Sequence, residues 1–398
     1  MDKLPRLRGD IQLVPVQVKD QILYLVQDPM ELGDNQALLS PQVLPLLPLF
    51  DGVHRVKELK LMLTRLNDGE LVSTEEALQV IRDLDGLFML QSEQYLLRLA
   101  QIRSAFSVQA HRPAAHAGQA YPENAEELAV FIDGILAQAS DSTASRQNPK
   151  VLVAPHIDPR TGAAVYAQAY ASLPAEAPKR ILLLGTGHRM DSGFLSASNK
   201  AYDTPFGRSP VDEQAVNKIT QAAGAWSAED DFAHRGEHSI EFQMLFLQRR
   251  WGCEVPIVPI LLGSLREHLD KVSRPKDLAG LGPLIDSLAE LAEDSFVVAG
   301  VDFSHVGPKF GHSKTATQME EAFSAHDQAL LDALCKGSIE DFWAESKRVT
   351  DEFNVCGQPV LALLLEAMPK LRGQVLDYRV HHEGPTRSAV SFAAVSLS

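Results

Sequence analysis

From residue 150 onward, short apolar runs alternate with stretches of helical periodicity, and this restricts the fold more than any other feature of the chain. Strands are expected at 150–154, 180–185, 256–261 and 295–300, and helices at 161–173, 281–291 and 318–335. Buried strands joined by crossover helices form a mostly parallel sheet covered on both faces. The expected class is therefore α/β, a central, mostly parallel sheet flanked by helices. Three of the runs stop on polar chemistry: "VLVAPHIDP" at His156, "RILLLGTGH" at His188, and "FVVAGVDFSH" at Asp302 and His305. Ligands of open α/β sheets bind beyond the carboxyl ends of the strands. A right-handed crossover brings successive strand ends to one edge, so the three ends point into one cleft.

Two further groups join them. Cys356, in "NVCGQPVLALLLEA", stands at the mouth of an apolar helix, where the positive helix end favours a thiolate. In "GEHSIEFQ", His238 and Glu241 lie one helical turn apart on one face. Cys335 reads as a core residue, Cys253 as a turn residue before a strand, and His381–His382 as a loop turn. Imidazole, carboxylate and thiolate together suit iron, zinc or copper rather than magnesium or calcium. Two histidines and an anionic third ligand fit a non-haem Fe(II) site and equally a catalytic zinc site, and spacing leaves that choice open. No phosphate-binding P-loop, dinucleotide fingerprint or G-x-S-x-G elbow is present.

The 398 residues suffice for two domains. A net charge of −15 argues against general binding to nucleic acid or anionic membrane, because phosphate contacts need a basic surface. No apolar run is long enough to span a bilayer, and the first residues lack a signal-peptide core. Three scattered cysteines argue against a disulfide framework, and a cytoplasmic location is expected.

Residues 1–107 read as a separate small α+β domain, with 108–398 as the larger one. "IQLVPVQVKDQILYLVQD" alternates like a hairpin, and "LSPQVLPLLPLFDG" and "VKELKLMLTRLN" read as helices around an Asp51–Gly52 turn. Ser73 to Glu76 opens another helix, and "LFMLQSEQYLL" is expected to return as a strand, completing a winged-helix-like module. The stretch "SVQAHRPAAHAGQAYPEN" reads as a linker, followed by a helix from Asn124, and "SDSTASRQNP" as a polar loop.

Seven ordered blocks, "HAGQAYP", "APHIDP", "LLLGTGH", "GEHSIEFQ", "PIVPILLGS", "GVDFSHVG" and "VCGQP", resemble the Memo-like proteins, including protein B of the AmmeMemoRadiSam system. The resemblance covers roughly residues 112–398 and implies a fold similar to class III extradiol dioxygenases. Carried over block by block, it implies a metal, Fe(II) first with zinc or copper as alternatives, held by His156, His188 and Cys356. Asp302 and His305 would line the pocket, either supporting the ligands or acting as acid–base groups, with His238 and Glu241 supporting the cleft wall. Many relatives read Pro-His-Ala-Gly-Tyr where this chain has "PHIDP", which adds Asp158 beside the first ligand. Where they carry Ser-Gly-Asp, this chain has His382-Glu383-Gly384. Residues 1–107 resemble a PqqD-type module that presents a strand edge to a peptide. Implied partners are a radical-SAM protein, an AMMECR-type protein and a peptide. The functional readings are a metal-binding redox or system component, a dioxygenase-type enzyme, and a zinc hydrolase with Asp302 or Glu241 as base.

Overall fold

The computed structural model describes residues 3–19, 21–33, 37–139 and 149–398. All but the last residue of the expected "SDSTASRQNP" loop falls outside them. The chain divides into two compact units, Met1–Val108 and Gln109–Ser398.

In the first unit, β1 (Gln12–Val18) and β2 (Gln21–Gln27) pair antiparallel, and β3 (Ala37–Leu39) pairs with β2. "PQVLPLLPL" is a 3-10 helix rather than an α-helix, because Pro45 and Pro48 remove the amide donors an α-helix needs. Asp51 makes the expected turn, its Oδ1 accepting from the amides of Val53 and His54 while Gly52 takes a φ of +80°. Helices α1 (Val56–Leu66) and α2 (Thr74–Gly86) follow, α2 opened by a Ser73–Glu76 capping box. The expected closing strand is corrected. Only Leu90 makes a bridge, to Leu7, and Ser92 then caps α3 (Glu93–Ser107) by accepting from the Tyr95 amide. A serine cap before a long run of good helix formers outweighs the apolar "LFML" start. The first unit is thus a three-stranded antiparallel sheet with a 3-10 run and three α-helices.

The second unit opens with β4 (His111–Arg112) and α4 (Ala125–Leu136), capped by Asn124. It continues through β5 (Val151–Ala154), α5 (Ala163–Ala171), β6 (Ile181–Thr186), β7 (Leu195–Ala197), β8 (Ala201–Thr204), β9 (Gly207–Ser209) and α6 (Glu213–Ala223). Next come α7 (His238–Trp251), β10 (Ile257–Leu262), α8 (Gly282–Glu293), β11 (Phe296–Gly300) and β12 (His305–Val306). The chain closes with α9 (Ala316–Lys336), α10 (Ile339–Val349), α11 (Gln358–Ala367), β13 (Gly373–Glu383) and β14 (Ser388–Leu397).

The main sheet runs β12-β14-β5-β11-β6-β10-β7, with β13 on β14. Its core, β5-β11-β6-β10, is parallel. Every other pairing is antiparallel, so the expectation of a mostly parallel sheet is corrected to a mixed one. The reason is the C-terminal hairpin: a short turn after Glu383 returns the chain at once, which only an antiparallel pair permits. His381 and His382 lie in β13 opposite Val390 and Ala389, not in a turn. Side-chain alternation along the parallel strands separates two cores. Val151, Val153, Leu182, Leu184, Val258 and Ile260 pack toward the α8 and α11 side, while Leu152, Ala154, Ile181, Leu183 and Ile257 pack toward α4, α5 and α7.

Candidate metal centre

The sheet order β5-β11-β6 sets the site. His156 follows β5, Asp302 follows β11 and His188 follows β6, so the carboxylate's strand lies between those of the two histidines. Cys356 arrives from below the N-terminus of α11. One ligand atom from each of His156, His188 and Cys356 lies within 4.8 Å of the others.

The hydrogen bonds fix which atoms face inward. His156 Nδ1 lies 2.9 Å from the Gly300 carbonyl, which only accepts, so Nδ1 carries hydrogen and Nε2 points at Cys356 Sγ, 3.4 Å away. His188 Nδ1 lies 3.0 Å from Glu237 Oε1, which leaves its Nε2 for the cleft. Metal-binding histidines ordinarily show this pattern, the outer ring nitrogen donating to a carbonyl or carboxylate. Asp302 accepts from the His156 amide at 2.9 Å through Oδ1, and its Oδ2 lies 3.7 Å from His156 Nε2. Cys356 Sγ also reaches the Asp302 carbonyl at 3.4 Å. His305 sits in β12 with Nδ1 on the Phe303 carbonyl at 3.0 Å.

His238, the first residue of α7, stacks on His188 with centroids 4.8 Å apart and meets His156 at 5.2 Å. His188, Glu237 and His238 also cluster tightly, but Glu237 is already committed. Its carboxylate accepts from the His188, His238 and Ser239 amides and caps α7. It holds the His188 ring and the start of α7 in place.

Beneath this layer lies a buried ionic clamp. Glu241 accepts from Arg112 Nη1, from Tyr121 Oη and from the amides of Ala115 (3.0 Å) and His116 (2.9 Å). Arg112 also donates to the carbonyls of His234 (2.9 Å) and Glu237 (2.8 Å). Both side chains are fully buried, so Glu241 is not available as a general base. The stretch expected to be a linker therefore holds β4 and this clamp, because Arg112 and Tyr121 carry buried partners there. On the far side of the site, Asp327 of α9 accepts from Ser304 (2.6 Å), Ser391 (2.5 Å) and Tyr378 (2.8 Å), fixing the backbone beside His305.

A family model described as Memo-like protein matches residues 112–396. The chain belongs to that family. A MEMO1 family protein of Aquifex aeolicus is 30% identical over 376 residues, 94% of this chain and 95% of the relative. One from Thermus thermophilus is 28% identical over 332 residues, 83% of this chain and 95% of the relative. One from Methanopyrus kandleri is 28% identical over 302 residues, 71% of this chain and 98% of the relative.

In this Memo-like protein the electrostatics follow the geometry. Burial alone would lower the His156 pKa, but Asp302 and the Cys356 sulfur lift it to about 9. Glu237 likewise overrides burial and lifts His188, while burial and the surrounding imidazoles hold His238 well below the usual histidine range. Burial opposes ionisation of Cys356, yet His156 and His305 draw its pKa well below that of a free thiol. Burial raises Asp302. The His156 and Cys356 shifts run in opposite directions, which favours a hydrogen bond from His156 Nε2 to the Cys356 sulfur. The His188 and His238 side chains are each 32% exposed, so the cleft opens to solvent on that side.

Among the residues expected in the cleft, Asp158 stands apart. Its carboxylate is 42% exposed and accepts from the Arg160 amide in a local turn. Cys335 lies in α9, and Cys253 between α7 and β10. Sequence reading did not single out Glu237, His116 or Arg112. His116 packs edge-on against His238 at 5.9 Å. A glutamate immediately before a helix-starting histidine was the available signal for Glu237, since an acceptor there satisfies free helix amides.

Proposed function

We propose that this Memo-like protein binds one transition-metal ion, ferrous iron first among the candidates, through His156, His188 and Cys356, and works in redox chemistry. The observation that carries the reading is the donor set: two imidazole Nε2 atoms and one thiolate converge, while both Nδ1 atoms are tied outward. Two nitrogens and one sulfur suit iron, copper or zinc. Bound there, the ion would supply Lewis acidity and electron transfer to a molecule entering from the solvent side. The protein's own residues would do the rest. Glu237 orients His188, Asp302 holds negative charge beside His156, and His305 offers Nε2 as a proton acceptor or donor. The ordered blocks shared with the AmmeMemoRadiSam protein support a role beside a radical-SAM protein and an AMMECR-type protein, with a peptide at the first unit. Three free cysteines fit a reducing cytoplasm. No helix among the described residues is long and apolar enough to cross a membrane.

The test is elemental analysis of anaerobically purified protein, wild type beside His188→Ala and Cys356→Ala. Stoichiometric iron in the wild type, lost in both variants, supports the reading. Zinc in place of iron overturns the redox role. A wild type that stays empty after reconstitution, or variants that keep their metal, overturns the ligand set.

A further inference from the structure

We propose that Asn354 is a positioning residue that locks the loop carrying Cys356 to the strand carrying His305, so that thiol and imidazole are held as one unit. This deepens the metal-site reading and rests on it only where metal binding is the readout.

The loop between α10 and α11 is strained. Thr350, Asp351 and Asn354 have φ values of 50°, 56° and 50°. Among the described residues of the second unit, only Arg387 is a further non-glycine with positive φ. Such conformations cost side-chain-bearing residues free energy and persist only where surrounding contacts enforce them. Asparagine tolerates this region better than most residues, and here it does more than tolerate it.

Its Nδ2 donates to the His305 carbonyl at 3.2 Å and to the Phe310 carbonyl at 3.4 Å. The His305 amide donates to the Phe353 carbonyl at 2.8 Å. Both backbone groups of His305 are therefore bonded to residues 353 and 354. Further along, the Gly357 amide donates to the Asp302 carbonyl at 3.0 Å, and Cys356 Sγ lies 3.4 Å from the same oxygen. Segment 353–357 thus runs back along 302–305, fastened at each end. The glycine end is a close approach: a Cβ on Gly357 would stand 2.7 Å from Val301 Cβ and 2.8 Å from the Asp302 carbonyl oxygen. The other end combines the His305–Phe353 backbone bond with an amide that bridges two carbonyls. Within the loop, Asp351 Oδ1 accepts from the Val355 amide at 3.0 Å, and Phe353 is buried in the cluster with Val306 and Phe323. These contacts and the His305–Phe353 backbone bond hold the loop near β12, and the Asn354 amide completes the tie by engaging the His305 carbonyl.

Two variants separate conformation from clamp. Asn354→Gly adopts the left-handed φ freely but donates nothing. Asn354→Asp keeps the shape but cannot donate to a carbonyl. Each is compared with wild type by Co(II) titration, reading the thiolate-to-cobalt charge-transfer band, and by amide hydrogen exchange of the metal-free protein. In both variants the charge-transfer band should weaken, and Co(II) affinity should fall about tenfold, as for loss of an outer partner of a ligand. Exchange protection should fall together in 303–306 and 353–357, while the thermal midpoint stays near wild type. A merely structural residue would not alter the thiolate band selectively. Retention of band and protection in both variants overturns the proposal. Loss in Asn354→Asp alone also overturns it, because repulsion between carboxylate and carbonyls would then be the cause. If the wild type takes up no Co(II), the metal reading fails and the exchange comparison alone decides the clamp.

Discussion

Replacing Glu241 with glutamine tests the buried clamp most directly, because it removes a charge and keeps the shape. Arg112 and Glu241 are both fully buried, so the cation cannot turn to water for compensation. Removing one partner of such a pair costs about 3–5 kcal/mol, since the other charge is left buried and unpaired. Arg112→Met with Glu241→Gln removes that charge as well. Both variants leave the new amide without an acceptor and strip an oxygen from the Ala115 amide, so these costs cancel in the comparison; the double variant alone takes Arg112 from the carbonyls of His234 and Glu237. At roughly 1 kcal/mol each, those two losses come to about 2 kcal/mol. The double variant should therefore be more stable than Glu241→Gln alone, the opposite of additivity. Urea unfolding followed by tryptophan fluorescence reads the right unit, because Trp226, Trp251 and Trp343 all lie in it. A single-variant loss below about 1 kcal/mol, or a double variant less stable than the single, would refute the reasoning.

Three more expectations follow from the same geometry. Glu237→Gln should weaken metal binding by about 10- to 100-fold by loosening His188, measured by competition with a chromophoric chelator; unchanged affinity would remove its orienting role. His234 is fully buried, with Nε2 on the Ser196 carbonyl at 3.0 Å and Nδ1 at the Tyr202 hydroxyl, and burial lowers its pKa from 6.5 to about 4. The unfolded chain then binds a proton that the folded one refuses, so stability is full above pH 6.5 and falls by about 3 kcal/mol as pH drops toward 4. His234→Gln should flatten that part of the pH–stability curve, and an unchanged slope would show that His234 does not carry it. Asp327→Leu should cost about 2–3 kcal/mol in thermal unfolding by stripping the acceptor from the buried Ser304 and Ser391 hydroxyls and the half-buried Tyr378 hydroxyl, and an unchanged midpoint would contradict that count.

Much of the architecture was legible because apolar strands and capped helices carry local signals. The runs at 151–154, 181–186, 257–262 and 296–300 announce themselves by composition, and Ser73 and Asn124 announce their helices by side-chain capping. The convergence of His156, His188 and Asp302 follows from a general rule about strand ends. What stayed hidden was non-local or masked by composition. Arg112 and Glu241 are 129 residues apart, and nothing near Arg112 marks it as buried. The 3-10 run at Pro41–Leu49 looks helical by apolar spacing alone, and β13 has charged residues and histidines where a core strand would have aliphatics. The role of Glu237 depends on a loop returning to His188, which no single-sequence pattern reveals.

His156 and Cys356 are separated by 200 positions yet lie in contact. A growing chain leaves the ribosome from its amino end, so β5, β6 and β11, and with them both histidines and Asp302, are complete well before Cys356 emerges. A nascent chain halted in α10 would therefore present two imidazoles and a carboxylate but no thiolate, and oxygen- and nitrogen-rich donors suit different ions from a set that includes sulfur. On the metal reading proposed above, loading in the cell would be a question of timing as well as affinity. Under that reading, an ion that needs the sulfur would be held firmly only by chains whose synthesis has passed the α11 helix, and occupancy would report on completed molecules.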